Sequence, residues 1–416
     1  MKRILFTLLG VMITTTAGAG GYRVSIQGQK ALAMGHTGVA MSDSSEVVFF
    51  NPGAMTQLEA DTDISGGLTL LTGSTKYQSE LTQTDAETDN PIGTPLNGYY
   101  VQRISDELSW GLGLYTPYGN VVEWPTDWQG SHLVNDIELK SFYIQPTIGY
   151  QINDSTSVGF GPNLVIGNVS FNRNLSTSLT NAAGERSNVT IEDEGVTAWG
   201  YNLGILHRLS KQTALGLSYR SEVTLEARNG DADFDNIPAA LQGAFPDGDF
   251  DADLVLPAEL TIGISHQVSD RLTVAFDINR TFWDAFEDLT VEFDAPGAGT
   301  SVNPRNYEDS NIYRFGVQYQ YSDKWIFRGG IYKDESPVPS GSFEPITPRN
   351  DSLGWTAGAS YQYSKNLELD FSFLLVAFKE IDESYDFYEE GGFDIPFSGT
   401  YRSGAMSLGF GLSYRY

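Results

Sequence analysis

The sequence contains no cysteine among its 416 residues, so it can form no disulfide bond and carries no lipid-modified cysteine. It is also poor in positive charge, with 25 Lys and Arg against 53 Asp and Glu. Phosphate binding needs a basic surface, so we expect no nucleic-acid partner. No stretch of 18 consecutive apolar residues occurs, which excludes a transmembrane helix by sequence.

The first residues have the pattern of a secretory signal peptide. Lys2 and Arg3 precede an apolar run at residues 4–13, and Ala17-Gly18-Ala19 supplies a cleavage site. We therefore expect residues 1–19 to be removed. An exported chain without a membrane helix is periplasmic, extracellular or an outer-membrane barrel.

Strict alternation of apolar and small or polar residues recurs along the chain. Near the end, one face carries Met406, Leu408, Phe410, Leu412, Tyr414 and Tyr416, and the other carries Ser, Gly and Arg. A period of two predicts β-strands. The aromatic face suits lipid and the polar face suits a lumen, which is the pairing of a membrane barrel. A soluble β-sandwich would have to expose these faces as large apolar patches.

Six polar tight turns join these strands: RISDELSWG, QINDSTSVG, HRLSKQTALG, HQVSDRLTVA, YQYSDKWIF and YQYSKNLEL. The other connections are longer, acidic and rich in Pro and Gly. Six turns pair twelve strands, and one strand stands at each end. The sequence therefore predicts an all-β, transmembrane antiparallel barrel of about fourteen strands over residues 61–416, with residues 20–60 as a hatch (plug) in its lumen.

Several segments, in order, resemble the FadL-type outer-membrane transporters of long-chain fatty acids and other hydrophobic compounds. They are GHTGVAMSDSSEVVFFNPGAM, YTPYGNVVEWPTDWQG, LGLSYRSEVTLEARNG, LPAELTIGISHQVSDRLTVAFDINRTFWDAF and NIYRFGVQYQYSDKWIFRGGIYKDESPVPSG. The resemblance implies fourteen strands, an N-terminal hatch, capture at outer loops, a lumenal site and release sideways through the wall. Two departures are Gly53, where Ala is usual, and Tyr416, where Phe is most common.

Within the hatch, the segment VVFFNPGAM combines an apolar surface with a turn. Phe49 and Phe50 can pack in the lumen or touch a lipid tail. Asn51 can bond backbone, Pro52 fixes φ and Gly53 permits unusual backbone angles. This turn is either a structural element of the plug or a gate that occludes the lateral exit and moves when ligand binds.

Ligand contacts are expected inside the barrel. By strand parity Arg220, Arg314 and Arg328 face inward, and Arg is a natural clamp for a carboxylate. The alternative is that they pair with lumenal acids. A first capture site in the outer loops is expected at Leu241 and Phe245, opposite Tyr118, Trp124 and Trp128; ordinary loop packing is the alternative.

No metal site, cofactor or catalytic group is predicted. The acidic run DGDFDAD, residues 247–253, lacks the Gly and Glu of an EF-hand, with Ala252 and Ala258 in their places. Neither His36 nor His132 has a nucleophile or orienting partner nearby in sequence, so an enzyme is not expected.

The expected function is passive uptake of long-chain fatty acids, or similar hydrophobic molecules, across the outer membrane of a Gram-negative bacterium. The alternatives are a transporter of neutral aromatic or aliphatic hydrocarbons and a closed barrel that acts as adhesin or phage receptor. Expected partners besides the ligand are outer-membrane lipids, lipopolysaccharide and the barrel assembly machinery, and the protein is expected to be a monomer.

Overall fold

The computed structural model describes residues 21–126 and 128–416. The expected signal peptide, residues 1–19, lies outside the described residues. No helix within those two ranges is long and apolar enough to cross a membrane.

Short helical elements occupy the N-terminal part of the chain. They are α1 (Gln29–Ala33), α2 (Val47–Phe50) and a 3-10 helix (Pro52–Gln57), and a second 3-10 helix lies at Trp283–Ala285. The strands follow in chain order: β1 (Thr62–Ser79), β2 (Asp85–Glu87), β3 (Leu96–Arg103), β4 (Leu108–Tyr115), β5 (Gly119–Glu123), β6 (Asp136–Asn153), β7 (Thr156–Asn174), β8 (Asn188–Arg208), β9 (Thr213–Arg220), β10 (Val223–Asp235), β11 (Gly248–Leu256), β12 (Glu259–Ser269), β13 (Leu272–Thr281), β14 (Asp288–Phe293), β15 (Thr300–Pro304), β16 (Ser310–Ser322), β17 (Trp325–Asp334), β18 (Ser352–Gln362), β19 (Leu367–Phe378), β20 (Ile381–Tyr385), β21 (Glu389–Glu390), β22 (Phe393–Asp394) and β23 (Phe397–Arg415).

These strands form one closed antiparallel barrel of fourteen wall strands, as predicted. Several wall strands are broken into a lower and an upper piece: β4 with β5, β9 with β10, β11 with β12, β13 with β14, β15 with β16, and β19 with β20. The last strand closes on the first, from Asp63 opposite Arg415 to Ser79 opposite Gly399. The first wall strand begins at Thr62, one residue from the predicted start.

All six predicted tight turns join neighbouring strands at one end of the barrel, where β1 begins and β23 ends. The predicted lipid face is confirmed along β23, where Leu408, Phe410, Leu412 and Tyr414 are exposed while Ser407 and Ser413 are buried. Such a barrel needs lipid around it, because the exposed girdle is aliphatic and aromatic.

Residues 21–61, which we call the hatch, fill the lumen, and most of their side chains are buried. Their packing partners include inward-facing residues of the wall, such as Val101, Tyr115, Tyr143 and Val165. Two further apolar clusters lie in the outer half, one around Trp128 and Phe397 and the other around Phe234 and Phe250.

Candidate functional site

The turn at residues 51–53 holds the hatch against the lower halves of β7 and β8. Asn51 is fully buried, and its amide donates to the carbonyls of Val39, at 2.6 Å, and Ile205, at 2.9 Å. Its side-chain oxygen accepts from the amide of Gly53 at 3.0 Å. The Ser157 hydroxyl donates to the Gly53 carbonyl at 2.6 Å. The hydrogen-bonding groups of this turn thus bind the wall and the hatch itself.

Glycines in the wall make this close approach possible. A Cβ atom on Gly204 would stand 2.2 Å from Asn51 Oδ1 and 2.6 Å from Pro52 Cδ. A Cβ atom on Gly159 would stand 2.3 Å from the Pro52 carbonyl carbon. Only a residue without a side chain leaves room for the turn at these two positions.

Buried ionic contacts fix a second part of the hatch. Lys30 Nζ lies 2.6 Å from Glu368 Oε1 of β19. Glu46 accepts from the backbone amides of Lys30 and Ala31, at 3.2 and 3.1 Å. Burial raises the pKa of Glu46 to about 7, although the Lys30 ammonium opposes the shift. A buried carboxylate is costly to ionise, so Glu46 exchanges its proton near neutral pH. The stability of its contact with the Lys30 and Ala31 amides therefore depends on pH in that range.

The three predicted arginines all point into the barrel and are buried, which confirms their parity. Arg220 donates to the Phe49 carbonyl at 3.0 Å and lies 3.9 Å from Glu259. Arg328 donates to Gln318 at 2.7 Å and to Ser360 at 2.5 Å. Both of these guanidinium groups therefore already have protein partners.

Arg314 differs from the other two. Within the described ranges it forms no ion pair shorter than 4.0 Å, and its Nε is buried without a hydrogen-bond partner. Asp277, directly across the ladder, instead accepts from the amides of Gly38 and Val39, at 2.8 and 3.2 Å. Both hatch amides bind Oδ2 of Asp277, while its Oδ1 is buried without a hydrogen-bond partner among the described residues and makes no hydrogen bond to Arg314.

Arg314 lines a small polar chamber of about 40 Å³ between hatch and wall, together with Arg23, Arg220, His36 and Glu259. Neither ring nitrogen of His36 has a hydrogen-bond partner in the chamber. Burial lowers the pKa of His36 well below its usual value, and the nearby arginines lower it further. A chamber of this size and charge can hold water or the end of an anionic group.

The wall has a gap between β3 and β4. Pairing stops at Gly98 opposite Leu114, and the next link is the Asp89 amide, which donates to the Glu123 carbonyl at 2.9 Å. Residues 91–97 and 115–122 face one another across this gap without a ladder among the described residues. Pro91, Pro95 and Pro117 lie on its two sides. Since proline has no N–H to donate, these residues interrupt the ladder. The prolines are visible in the sequence, but the interpretation of YTPYGN as a loop segment did not use them.

The hatch bonds to one edge of this gap. Val24 N donates to the Pro117 carbonyl at 2.8 Å, and Gly119 N donates to the Tyr22 carbonyl at 2.9 Å. The Gln27 amide donates to the Thr116 carbonyl at 2.8 Å. Residues 22–27, and not the turn at 51–53, are the part of the hatch that borders the gap.

Two apolar cavities lie next to each other in the lumen. The outer cavity, of about 120 Å³, is lined by Leu139, Val196, Leu225, Phe250 and other apolar residues of the upper strands. The larger one, of about 800 Å³, reaches from Val24–Ile26, Leu374 and Val376 inside to Leu96, Leu114 and Phe142 on the lipid face, through the gap. They share Asn120 and Leu139 as lining residues. An apolar molecule in the outer cavity is thus separated from the gap cavity only by the side chains that line both.

The five predicted capture residues do not form one surface. Tyr118 is buried at the gap and donates to the Pro257 carbonyl at 2.8 Å. Trp124 and Trp128 are buried and stacked, with ring centres 4.1 Å apart. Phe245 packs on Phe234, at 5.7 Å between ring centres, and Leu241 is exposed on the same loop. Trp124 and Trp128 therefore show ordinary loop packing, which was the alternative to a capture site in the sequence analysis.

The remaining candidates have structural surroundings. His132 lies in an outer loop against Tyr388, and burial lowers its pKa to about 4. Asp251, in the acidic run at residues 247–253, accepts from the Asn229 amide at 2.9 Å. Within residues 21–126 and 128–416, no group of three or more His, Asp or Glu side chains is arranged to hold a metal ion.

The fold and site define a class: an outer-membrane β-barrel whose lumen is filled by its own N-terminal segment and whose wall is interrupted at membrane level. The sequence places the chain within that class. Residues 10–416 match the model of a family described as outer membrane protein transport protein (OMPP1/FadL/TodX), and the chain belongs to that family. It is accordingly a protein of the Gram-negative outer membrane.

Known proteins show the same likeness. The chain is 25% identical over 411 residues to a "Long-chain fatty acid transport protein" of Salmonella typhi, covering 91% of this chain and 93% of that protein. Its fold is similar to the crystal structure of a Pseudomonas aeruginosa FadL homologue, with a TM-score of 0.81, 17% identity and coverage of 97% and 100% of the two chains. It is also similar to the Ralstonia pickettii toluene transporter TbuX, with a TM-score of 0.68, 20% identity and coverage of 94% and 98%.

Proposed function

We propose that this protein takes up long-chain fatty acids, or similar hydrophobic molecules, across the outer membrane without an energy source of its own. The observation that carries the proposal is the apolar passage from the outer cavity to the wall gap between residues 91–97 and 115–122. A ligand that enters from the loops reaches lipid through this gap and never has to pass through water. The apolar faces of Leu96 and Leu114 flank its outer mouth.

Hatch movement is the proposed control of this passage. The hatch contributes Val24–Ile26 to the inner side of the gap and bonds to its edge at Pro117 and Gly119. The segment from Phe49 and Phe50 to the turn at Asn51, Pro52 and Gly53 acts as the fixed end of the hatch, held by β7 and β8. When ligand separates residues 22–27 from the gap edge, the passage to the gap widens while the turn stays in place.

The carboxylate of a fatty acid is proposed to contact Arg314, because Arg314 alone of the three inward arginines lacks a hydrogen-bond or ion-pair partner among the described residues. Arg220 and Arg328 are proposed to join the clamp only when the hatch moves, since they must first release Phe49 and Ser360. Leu241 and Phe245 of the outer loop, with Tyr118 deeper at the gap, are proposed contacts along the ligand's way in, next to the rigid pair Trp124 and Trp128. We further propose a monomer that is inserted by the barrel assembly machinery and surrounded by lipid and lipopolysaccharide.

The test is complementation of a Gram-negative strain that lacks its own fatty acid transporter. Uptake of radiolabelled oleate is measured with the gene, with an empty vector, and with a Pro95→Val, Pro117→Val variant. The variant keeps both carbonyls, and with them the bond from Val24, but adds N–H groups that let the ladder close. We expect rescue by the wild type and at least fivefold less uptake by the variant.

Pro396→Val, at an exposed position of another outer loop, is the matched control and should transport like the wild type. No rescue by a correctly assembled wild-type barrel, judged by heat-modifiable migration, would contradict transport and favour an adhesin or receptor. Replacing Arg220, Arg314 and Arg328 together by Ala separates the substrates. Loss of oleate uptake with toluene uptake retained supports the clamp, whereas unchanged oleate uptake points to neutral hydrocarbons.

A further inference from the structure

A second interruption of the wall lies between β8 and its neighbour strand, separated from the gap described above by β4, β6 and β7. The lower ladder ends at Asn202 opposite Arg220, and one more backbone bond runs from Ser221 N to the Tyr201 carbonyl, at 2.9 Å. Pairing resumes only at Glu192 opposite Asp231. Between these points, residues 193–200 and 222–230 carry no ladder to one another in the described chain. At about 3.3 Å per residue this seam is roughly 26 Å long.

Local irregularities on both strands explain why the ladder stops. β8 has a bulge at Gly195, with φ of 75°, where its pairing with β7 shifts between Gly167 and Asn168. β10 has a register shift between Ala227 and Gly230, with Asn229 at φ of 54°. A bulge bends and twists its own strand, so two strands that bulge at one level do not keep a common register.

Side chains close the seam where backbone bonds do not. Val196 and Ala198 of β8 pack in one cluster with Val223 and Leu225 of β10. Directly behind them lies the outer apolar cavity, which Val196 and Leu225 also line. Dispersion contacts between a few aliphatic side chains are individually weak, and such side chains change rotamer readily, unlike a ladder of hydrogen bonds.

The position of the seam relative to the membrane follows from its charges. Glu222, Glu226 and Arg228 are exposed along it, and Trp199, 69% exposed, stands at its lower end. Unpaired backbone groups are too costly to expose to hydrocarbon, and aromatic residues mark the interface. The seam therefore begins at the headgroup level of the outer leaflet and rises above it, where water satisfies the free backbone groups.

We propose that this seam is a side portal through which a single-chain amphiphile passes from the headgroup level of the outer leaflet into the outer cavity. The acyl chain displaces the apolar side chains of Val196, Ala198, Val223 and Leu225 from this cluster while its polar end stays in the headgroup layer. This inference rests on the proposed function and adds a route of entry that does not pass through the loop tips.

The absence of cysteine from the sequence allows a clean cross-linking test. A Thr197→Cys, Glu226→Cys pair places thiols on the outer side of the seam, where a short bis-maleimide links them. The matched control is Thr190→Cys, Asp233→Cys, on the same strands at positions that are already paired. Initial rates of radiolabelled oleate uptake are measured in cells before and after linking, and mass spectrometry reports the linked fraction.

Linking across the seam should lower the initial rate at least fivefold, and linking the control pair should leave it within twofold of the unlinked protein. A second variant works in the other direction: Val196→Ala with Leu225→Ala weakens the seal and should raise the rate at least twofold. An unchanged rate in the linked seam variant overturns the portal. If the linker does not react, the Val196→Ala, Leu225→Ala variant alone decides. An uptake rate equal to that of the wild type then overturns the proposal. If uptake by the wild type does not exceed that of the empty vector, the proposed transport function is wrong, and the result says nothing against the portal.

Discussion

The guanidinium carbon of Arg220 lies 4.1 Å from the centre of the Phe49 ring, and the same side chain donates to the Phe49 carbonyl. One wall residue thus holds one hatch residue by both its ring and its backbone. The contact also positions the positive charge near Glu259, which Arg23 approaches to 3.5 Å from the hatch.

Arg220→Ala should loosen the hatch by about 3 kcal/mol, because it removes the cation–π contact and leaves the buried Glu259 with one partner fewer. The measurement is amide hydrogen exchange at residues 47–55 in detergent or lipid, where protection should fall about a hundredfold. Arg228→Ala, which removes an exposed ion pair with Asp253, is the control and should change little. Equal protection in the Arg220 variant would show that the hatch does not depend on this contact.

Gly204→Ala should displace the turn at Asn51 and Pro52, because the new Cβ atom would stand 2.2 Å from Asn51 Oδ1. We expect the barrel to assemble normally and the hatch to become sensitive to limited proteolysis. Gly98→Ala is the control, since no atom lies within 4 Å of a Cβ atom there. A protease-resistant hatch in the Gly204 variant would mean that the turn can shift without being released.

Asn51→Ala with Pro52→Ala tests whether the turn is needed for transport. Asn51 makes two buried donor contacts and one acceptor contact, so its loss leaves the Val39 and Ile205 carbonyls without these donors and should cost about 2–4 kcal/mol locally. We expect oleate uptake to fall at least threefold in a correctly folded barrel. Asn181, half-buried in the outer loop between β7 and β8 and replaced by Ala, is the comparison. Unimpaired uptake in the double variant would remove the turn from the gating proposal.

The contribution of Glu46 to hatch stability should fall as pH rises from about 5 to 8. The folded-state pKa of Glu46 is raised from 4.5 to about 7, mainly by burial, so the folded hatch binds more protons than the released hatch in this range. The stabilisation is present below the unfolded pKa and is lost as pH rises through the folded one, up to about 3 kcal/mol. His36, whose pKa is lowered, acts in the opposite direction and destabilises the hatch as pH falls below its usual value.

The two contributions are separated with Glu46→Gln, which keeps an acceptor for the amides of Lys30 and Ala31. In this variant the loss of protection above neutral pH, followed by hydrogen exchange at residues 29–34, should disappear, and the loss at low pH should remain. A variant with the wild-type pH profile would assign the effect to another group.

Much of the wall could be predicted from the sequence because a barrel strand in lipid has a period of two and its tight turns have their own chemistry. The start of the wall, predicted at residue 61 and found at Thr62, and the inward direction of Arg314 follow from these local rules. The contacts of the site do not, because they join residues distant in sequence. Nothing near Asn51 indicates Ile205 as its partner, and nothing near Trp124 indicates that Trp128 and Pro345 would bury it.

The wall gap was missed for a related reason. Strand periodicity reports which face a residue occupies, whereas the gap depends on the N–H groups that Pro91, Pro95 and Pro117 lack. The seam between β8 and β10 was missed as well, because it depends on how two strands pair with one another, and the periodicity of a single strand carries no information on pairing.

The prolines of the wall gap have one further consequence, for the way these barrels share a crowded membrane. A gap in a β-barrel creates two strand edges, and a bare edge in lipid invites pairing with a strand of a neighbouring molecule. Pro91, Pro95 and Pro117 deprive these edges of donors, so no continuous intermolecular ladder can grow from them. The residues that keep the passage open thereby also protect the barrel from joining its neighbours edge to edge.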